Sequence, residues 1–136
     1  MEKRYTYEEL LHIVAELRSE HGCPWDREQT HESLIKCLEE ESREVIEAIG
    51  NKDDENLCEE LGDVLLQVLM HSQIASEEHR FTIEDVVDML AQKLVRRHPH
   101  VFGGQKALSA EEGLASWNAI KAQEKALRQE KKRENP

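Results

Sequence analysis

Apolar residues recur along this chain at spacings of three and four, and strict alternation of apolar and polar positions is never sustained. The first period belongs to helices and the second to strands, so the pattern predicts an all-α protein. Thr6 and Glu9 form a capping-box pair ahead of Leu10, Val14 and Leu17, predicting a helix over about 7–21. Asp26 with Gln29 is a second start signal and Gly50 a stop, predicting a helix over about 28–49. Leu57, Leu61, Val64, Leu65 and Val68 mark a third over about 54–78. Thr82 can cap a fourth, striped by Ile83, Val87, Leu90 and Leu94 and ended by Pro99. Ser109 and Glu112 open a fifth, expected to fray in a charged tail over about 125–136. Glycine and proline cluster at the joints, and about 99–108 reads as a loop. The second and third helices are long and joined by a few residues around Asn51–Asp54, so they should pack antiparallel. The expectation is an antiparallel bundle of about five helices in one domain spanning 1–136.

Certain carboxylates fall on the wrong face of this pattern. With Glu41 at zero and about 100° per residue, Leu34, Val45 and Leu38 lie at about 20–60°. Ala48, Cys37 and Glu44 lie at about 300–340°. Glu41 and Glu44 therefore sit inside an apolar arc, while Glu39, Arg43 and Glu47 point to the polar side. The next helix repeats the anomaly: Glu60, Asp63 and Gln67 lie between Val64 and Leu57 on one flank and Met70 and Leu66 on the other. An i,i+3 spacing makes each acid pair neighbours on one surface. Two antiparallel helices would then bring four carboxylates together. Such a cluster needs protons or cations to be tolerable. All-oxygen ligands suit a hard divalent ion, Mg²⁺ or Mn²⁺. A single Glu in this position would more simply edge the core; two pairs on adjacent helices favour a metal.

Composition narrows the classes. A formal net charge of −11 disfavours non-specific nucleic-acid binding, although a few focused cations could still meet a small phosphorylated ligand. No run approaches the ~20 apolar residues of a membrane span. The N-terminus lacks the long apolar run of a secretory signal, so the expected location is the cytoplasm. Cys23, Cys37 and Cys58 are scattered and read as reduced thiols. The third helix is apolar nearly all round, through Leu65, Leu66, Leu69 and Met70, which predicts a homo-oligomer, dimer or tetramer. His98 and His100 form an HxH without an evident third ligand, and His71 lies near the acid stripe. His12, His21, His31 and His79 read as surface or cap residues.

The stretch from Leu38 to Val45, followed by Glu59-Glu60-Leu61-Gly62-Asp63, resembles the EExxE…ExxD signature of the MazG nucleotide pyrophosphohydrolases. Three further segments are similar to the same family: Gly22-Cys23-Pro24-Trp25-Asp26 with Glu28-Gln29-Thr30, Arg96 to Phe102, and Trp117 with Ile120-Lys121. Together they span about residues 10–124. The resemblance implies an all-α fold and Mg²⁺-dependent hydrolysis of nucleoside triphosphates between the α- and β-phosphates. It implies Glu41, Glu44, Glu60 and Asp63 as metal ligands, with Glu41 or Glu44 acting on the attacking water. Glu40 and Trp25 would stand just outside the ligands. Many members carry two such domains in tandem, whereas this sequence shows one.

The resemblance also implies Lys93, Arg97, Trp117 and Lys121 around the nucleotide. Lys and Arg can neutralise a triphosphate and a Trp face can stack on a base. Cations at a helix C-terminus also favour its dipole and need no ligand. The sequence has no GxxxxGK[ST] loop, which argues against a P-loop route. Two other readings stand beside the enzyme: a di-iron carboxylate bundle, which needs ExxH pairs and finds Glu28 with His31 at a helix start away from the four acids, and a non-enzymatic helical interaction module.

Overall fold

The structure, a computed structural model, describes residues 2–104 and 109–134. Among these, the regular secondary structure is seven helices: α1 (Tyr7–Leu17), α2 (Pro24–Glu28), α3 (Ile35–Gly50), α4 (Asp54–Glu77), α5 (Ile83–Arg97), α6 (Pro99–Phe102) and α7 (Ala110–Glu134). The chain groups into two compact units, one reaching to Glu84 and the other from Asp85 onward.

In the first unit, α3 packs along α4, and α1 lies against α4. The core is small: Val14, Leu34, Leu69, Met70 and Ile74 are buried, with Leu10, Leu11, Cys37 and Ile83 packed around them. It sits over the C-terminal half of α4. The first two-thirds of α4 leaves Leu61, Leu65, Leu66 and Val68 exposed in the single chain, as Leu38, Ile46 and Ile49 are on α3.

Local chemistry explains most helix ends. Thr6 and Glu9 form the reciprocal capping box expected of them. The Asp53 carboxylate accepts from the Asn56 N–H at 3.1 Å and starts α4. Between α3 and α4 the chain turns through Lys52, in the left-handed region at φ 54. Ser109 Oγ accepts from the Glu112 N–H at 3.2 Å at the start of α7.

Five expectations are corrected. There are seven helices rather than five, because two short ones, each opened by a proline at its first turn, occupy stretches read as joints. The first helix ends at Leu17, not near 21. The second long helix begins at Ile35 rather than 28. Hydroxyls divert the intervening backbone: Ser33 Oγ accepts from the Thr30 N–H at 2.8 Å, and Thr30 Oγ1 from the Ser33 N–H at 3.0 Å. The expected loop at 99–108 contains α6; its residues 105–108 lie outside those described. Finally, α7 stays helical through the basic tail to Glu134, beyond where fraying was expected. Residues 135–136 of that tail also lie outside the described residues.

Two features hold the segment between α1 and α3 in place. The buried Arg18 side chain donates through Nε and Nη2 to Glu77 at 2.9 and 3.0 Å, and through Nη1 to the carbonyl of Gln29 at 3.1 Å. Gly22 brings the chain across the end of α1, where a Cβ would lie 2.2 Å from the Glu16 carbonyl oxygen. That neighbour is backbone and cannot swing aside. Gly22→Ala is therefore expected to destabilise the protein by about 2 kcal/mol or more, seen as a lower midpoint in thermal unfolding followed by circular dichroism. An unchanged midpoint would mean that the turn relaxes freely.

Candidate metal centre

The close approach of α3 and α4 brings Glu41, Glu44, Glu60 and Asp63 together. One ligand oxygen from each lies within 4.8 Å of the others. Glu41, Glu60 and Asp63 are half-buried and Glu44 is exposed. Among the described residues this is the one group of three or more metal-ligating side chains so arranged.

The electrostatics are those of a cluster short of positive charge. Burial, and then the charges of Glu44 and Asp63, push the Glu41 carboxyl above its ordinary range. Glu40, exposed at the surface, adds a smaller push through its charge. A hydrogen bond shared with Glu44, then burial and the charges of Glu44, Asp63 and Glu41, push Glu60 up to about 7. Oε2 of Glu41 and Oε2 of Glu60 are buried without a hydrogen-bond partner. Buried carboxylate oxygens cost stability unless something positive meets them. The all-oxygen donor set and these orphaned atoms together fit a hard divalent cation. One turn beyond Asp63, Gln67 is buried and its Oε1 is also unpartnered.

The second unit holds the residues expected around the nucleotide. Arg97 is buried near the end of α5, with its guanidinium 4.8 Å from the centre of the Trp117 ring. His98 meets the same ring edge-on at 5.3 Å, and its Nδ1 lies 2.6 Å from the Leu94 carbonyl oxygen. Lys93 is half-buried and Lys121 exposed. A cavity of about 380 Å³ is lined by His98, His100, Ser109, Gly113, Leu114 and Trp117. Trp25, in the first unit, is largely exposed on α2.

Two partners were missed from the sequence. Glu124 accepts from both Arg96 and Arg97, which hold its carboxyl down at about 2. A signal existed, since Trp117, Lys121 and Glu124 follow the i, i+4, i+7 rule of one helix face. His31 is not a simple surface residue either: its Nδ1 lies 2.7 Å from Nδ1 of His71, with the rings stacked. The Arg80 Nη2 donates to His31 Nε2 at 2.6 Å, so the neutral His31 carries its proton on Nδ1 and donates it to His71. No sequence signal links residues 40 apart in this way.

Four carboxylates clustered on two neighbouring helices, in a fold of helices alone, define a class of all-α acidic-cluster proteins. Comparison with known proteins narrows the class to a family. A model of the MazG nucleotide pyrophosphohydrolase domain matches residues 29–102, a span that includes all four acids, Lys93 and Arg97. The chain belongs to this family. It is 57% identical over 119 residues to the Thermotoga maritima protein named nucleoside triphosphate pyrophosphohydrolase/pyrophosphatase MazG, covering 88% of this chain and 45% of that protein. It is 46% identical over 118 residues to the Escherichia coli K12 nucleoside triphosphate pyrophosphohydrolase, covering 86% and 45%. The chain thus spans under half the length of these curated relatives. A solved structure of a MazG-related protein from Thermotoga maritima superposes with a TM-score of 0.70 at 32% identity, covering 85% of this chain and 98% of that one.

The raised Glu60 pKa sets a sign for pH. An acid whose pKa is higher folded than unfolded binds more protons in the folded state. Without metal, stability therefore falls as pH rises between about 4.5 and 7, and it stays low above that. Burial and His31 lower His71, which gives the opposite slope, so the comparison of wild type with Glu60→Gln isolates the carboxylate. The metal-free wild type is expected to lose melting temperature relative to Glu60→Gln between pH 5 and 8, and Mg²⁺ should restore it more at pH 8 than at pH 5. Identical pH profiles for the two proteins would show that Glu60 carries no strain.

Proposed function

We propose that this chain hydrolyses nucleoside triphosphates to the monophosphate and pyrophosphate, with Mg²⁺ held by Glu41, Glu44, Glu60 and Asp63. Mn²⁺, with similar oxygen preference, is expected to substitute. The observation that carries the reading is the four-carboxylate cluster with two buried, unpartnered oxygens. The names of the relatives support the choice of reaction. When bound, the ion supplies positive charge to the phosphate oxygens and acidifies a neighbouring water.

This chain's own groups do the rest. Glu41 or Glu44 takes a proton from the attacking water. The water oxygen bonds to the α-phosphorus while the bond to the α–β bridging oxygen breaks, and that oxygen departs with its electron pair as part of pyrophosphate. Lys93, Arg97 and Lys121 supply cations for the triphosphate, and Trp117 an aromatic face for the base. The same proposal includes a single functional domain over the whole chain and a cytoplasmic, housekeeping role in the nucleotide pool. Among the described residues, no helix is long and apolar enough to cross a membrane. The di-iron alternative is weakened at Glu28 with His31, because His31 is engaged by His71 and Arg80.

We also propose a homo-oligomer. Ile46 and Ile49 on α3 are 68% and 58% exposed and Leu61 on α4 is 52% exposed, apolar surface that association would cover. Sedimentation at micromolar concentration should show a dimer or larger, and Ile46→Asp with Leu61→Asp should shift it toward monomer. A wild-type monomer would refute this.

The reaction is tested by product analysis. Pure protein is incubated with a panel of nucleoside triphosphates, with Mg²⁺ or with chelator, and products are resolved by ion exchange. Monophosphate plus pyrophosphate, formed only with metal, is expected. Glu41→Gln and Glu60→Gln should each lower turnover about 100-fold or more. Diphosphate plus phosphate, or full activity in both variants, would overturn the reading.

A further inference from the structure

Arg97 is a buried cation whose partners Glu124 and Trp117 lie in the second unit. Its side chain is 8% exposed and that of Glu124 is 16% exposed. Nε of Arg97 donates to both oxygens of Glu124, at 3.2 and 3.0 Å, while Nη2 of Arg96 donates to Oε1 at 2.8 Å. The central carbon of the guanidinium, Cζ, lies over the Trp117 ring, 4.8 Å from its centre.

The geometry uses the guanidinium unevenly. Among the described residues, the side-chain hydrogen bonds of Arg97 all run from Nε. The Nη end, which carries four of the five N–H donors, keeps its capacity for a bidentate bond to a phosphate. The charge balance agrees. Two arginines face one carboxylate, so the group retains a net positive charge. Trp117 and Glu124 are seven residues apart on α7, so one helix holds both the floor under the guanidinium and the acceptor at its Nε edge.

We infer that Glu124 is the positioning residue for Arg97, fixing its Nε edge so that the guanidinium stays over Trp117 with its Nη end presented to a nucleoside triphosphate's phosphates. This rests on the hydrolase reading above. It also opposes the simplest electrostatic expectation. Removing a carboxylate near a polyanion site should tighten binding if charge alone matters. Loss of positioning should weaken it.

The test is a set of steady-state constants for wild type, Glu124→Ala, Glu124→Gln, Arg97→Ala and the double variant Arg97→Ala/Glu124→Ala. Thermal unfolding establishes that each is folded. Glu124→Ala is expected to raise KM for the best triphosphate about tenfold with kcat nearly unchanged. Glu124→Gln keeps an oxygen acceptor for Nε and should remain within about threefold of wild type. The two alanine substitutions should be non-additive, with little further loss in the double variant. A KM that falls in Glu124→Ala, or additive losses, would overturn the inference. So would a fall in melting temperature with no change in KM.

A second readout does not need turnover. In protein labelled with ¹⁵N-arginine, a slowly exchanging Nε–H signal, assigned by its loss in Arg97→Lys, should be present in wild type and Glu124→Gln and lost in Glu124→Ala. Its absence from wild type sinks the inference whatever the activity. If wild type forms no monophosphate and pyrophosphate, the hydrolase reading fails on its own. Titration with inorganic triphosphate then carries the comparison: weaker binding by Glu124→Ala than by wild type supports positioning, and equal or tighter binding overturns it.

Discussion

Four like charges with ligand oxygens inside a 4.8 Å circle are the constraint on which the first unit depends. Carboxylates at that distance cannot all be ionised cheaply. Glu60 answers by holding its proton up to about 7, and Glu41 is pushed the same way. The arrangement persists because the helices are fixed elsewhere. Val14, Leu34, Leu69, Met70 and Ile74 make the core beside the C-terminal half of α4, and Arg18 clamps the chain before α3 to Glu77. Core and cluster are thus separated along α4. The hydrophobic end supplies the stability, and the acidic end spends part of it on a site that a cation would relieve.

The second unit solves the opposite problem. Two arginines lie side by side on α5, and one is buried. Glu124 answers them with a carboxylate held down at about 2, far below Glu60. The same residue type therefore titrates about five units apart in one chain, because one glutamate faces guanidiniums and the other faces carboxylates. Neither value follows from composition. A net charge of −11 says nothing about where the positive charge lies, and here one buried guanidinium, that of Arg97, sits over Trp117.

Much of this was legible in the residues because helices impose a period. The all-α class, the extents of α4 and α5 and the caps at Thr6 and Ser109 follow from local rules. So does the convergence of Glu41, Glu44, Glu60 and Asp63, since a helix converts sequence spacing directly into direction, although Glu44, expected on the inward arc, is exposed. The failures have the same cause in reverse. Around 22–34 there is no period to read: Gly22 is fixed by a close approach to Glu16, and Thr30 with Ser33 exchange hydroxyl for backbone bonds where a helix start was expected. His31 with His71, and Arg97 with Glu124, are pairings between separate segments, and no rule of spacing connects residues 40 or 27 apart.

The exposed apolar residues on α3 and α4 follow from the same economy. The core takes the end of α4 away from the acids. The sequence nonetheless puts Leu61, Leu65, Leu66 and Val68 within eight positions of the cluster residue Glu60. If they stayed in water, the acidic half of α4 would have little to oppose the repulsion between its carboxylates. Covering them would both repay their exposure and stiffen the helix segment that carries Glu60 and Asp63. Association and cation binding, if both occur as proposed, would act on one stretch of α4, the first from its apolar surface and the second from its acids. Each makes the other less costly, because a segment already ordered by one has less freedom to lose on meeting the other.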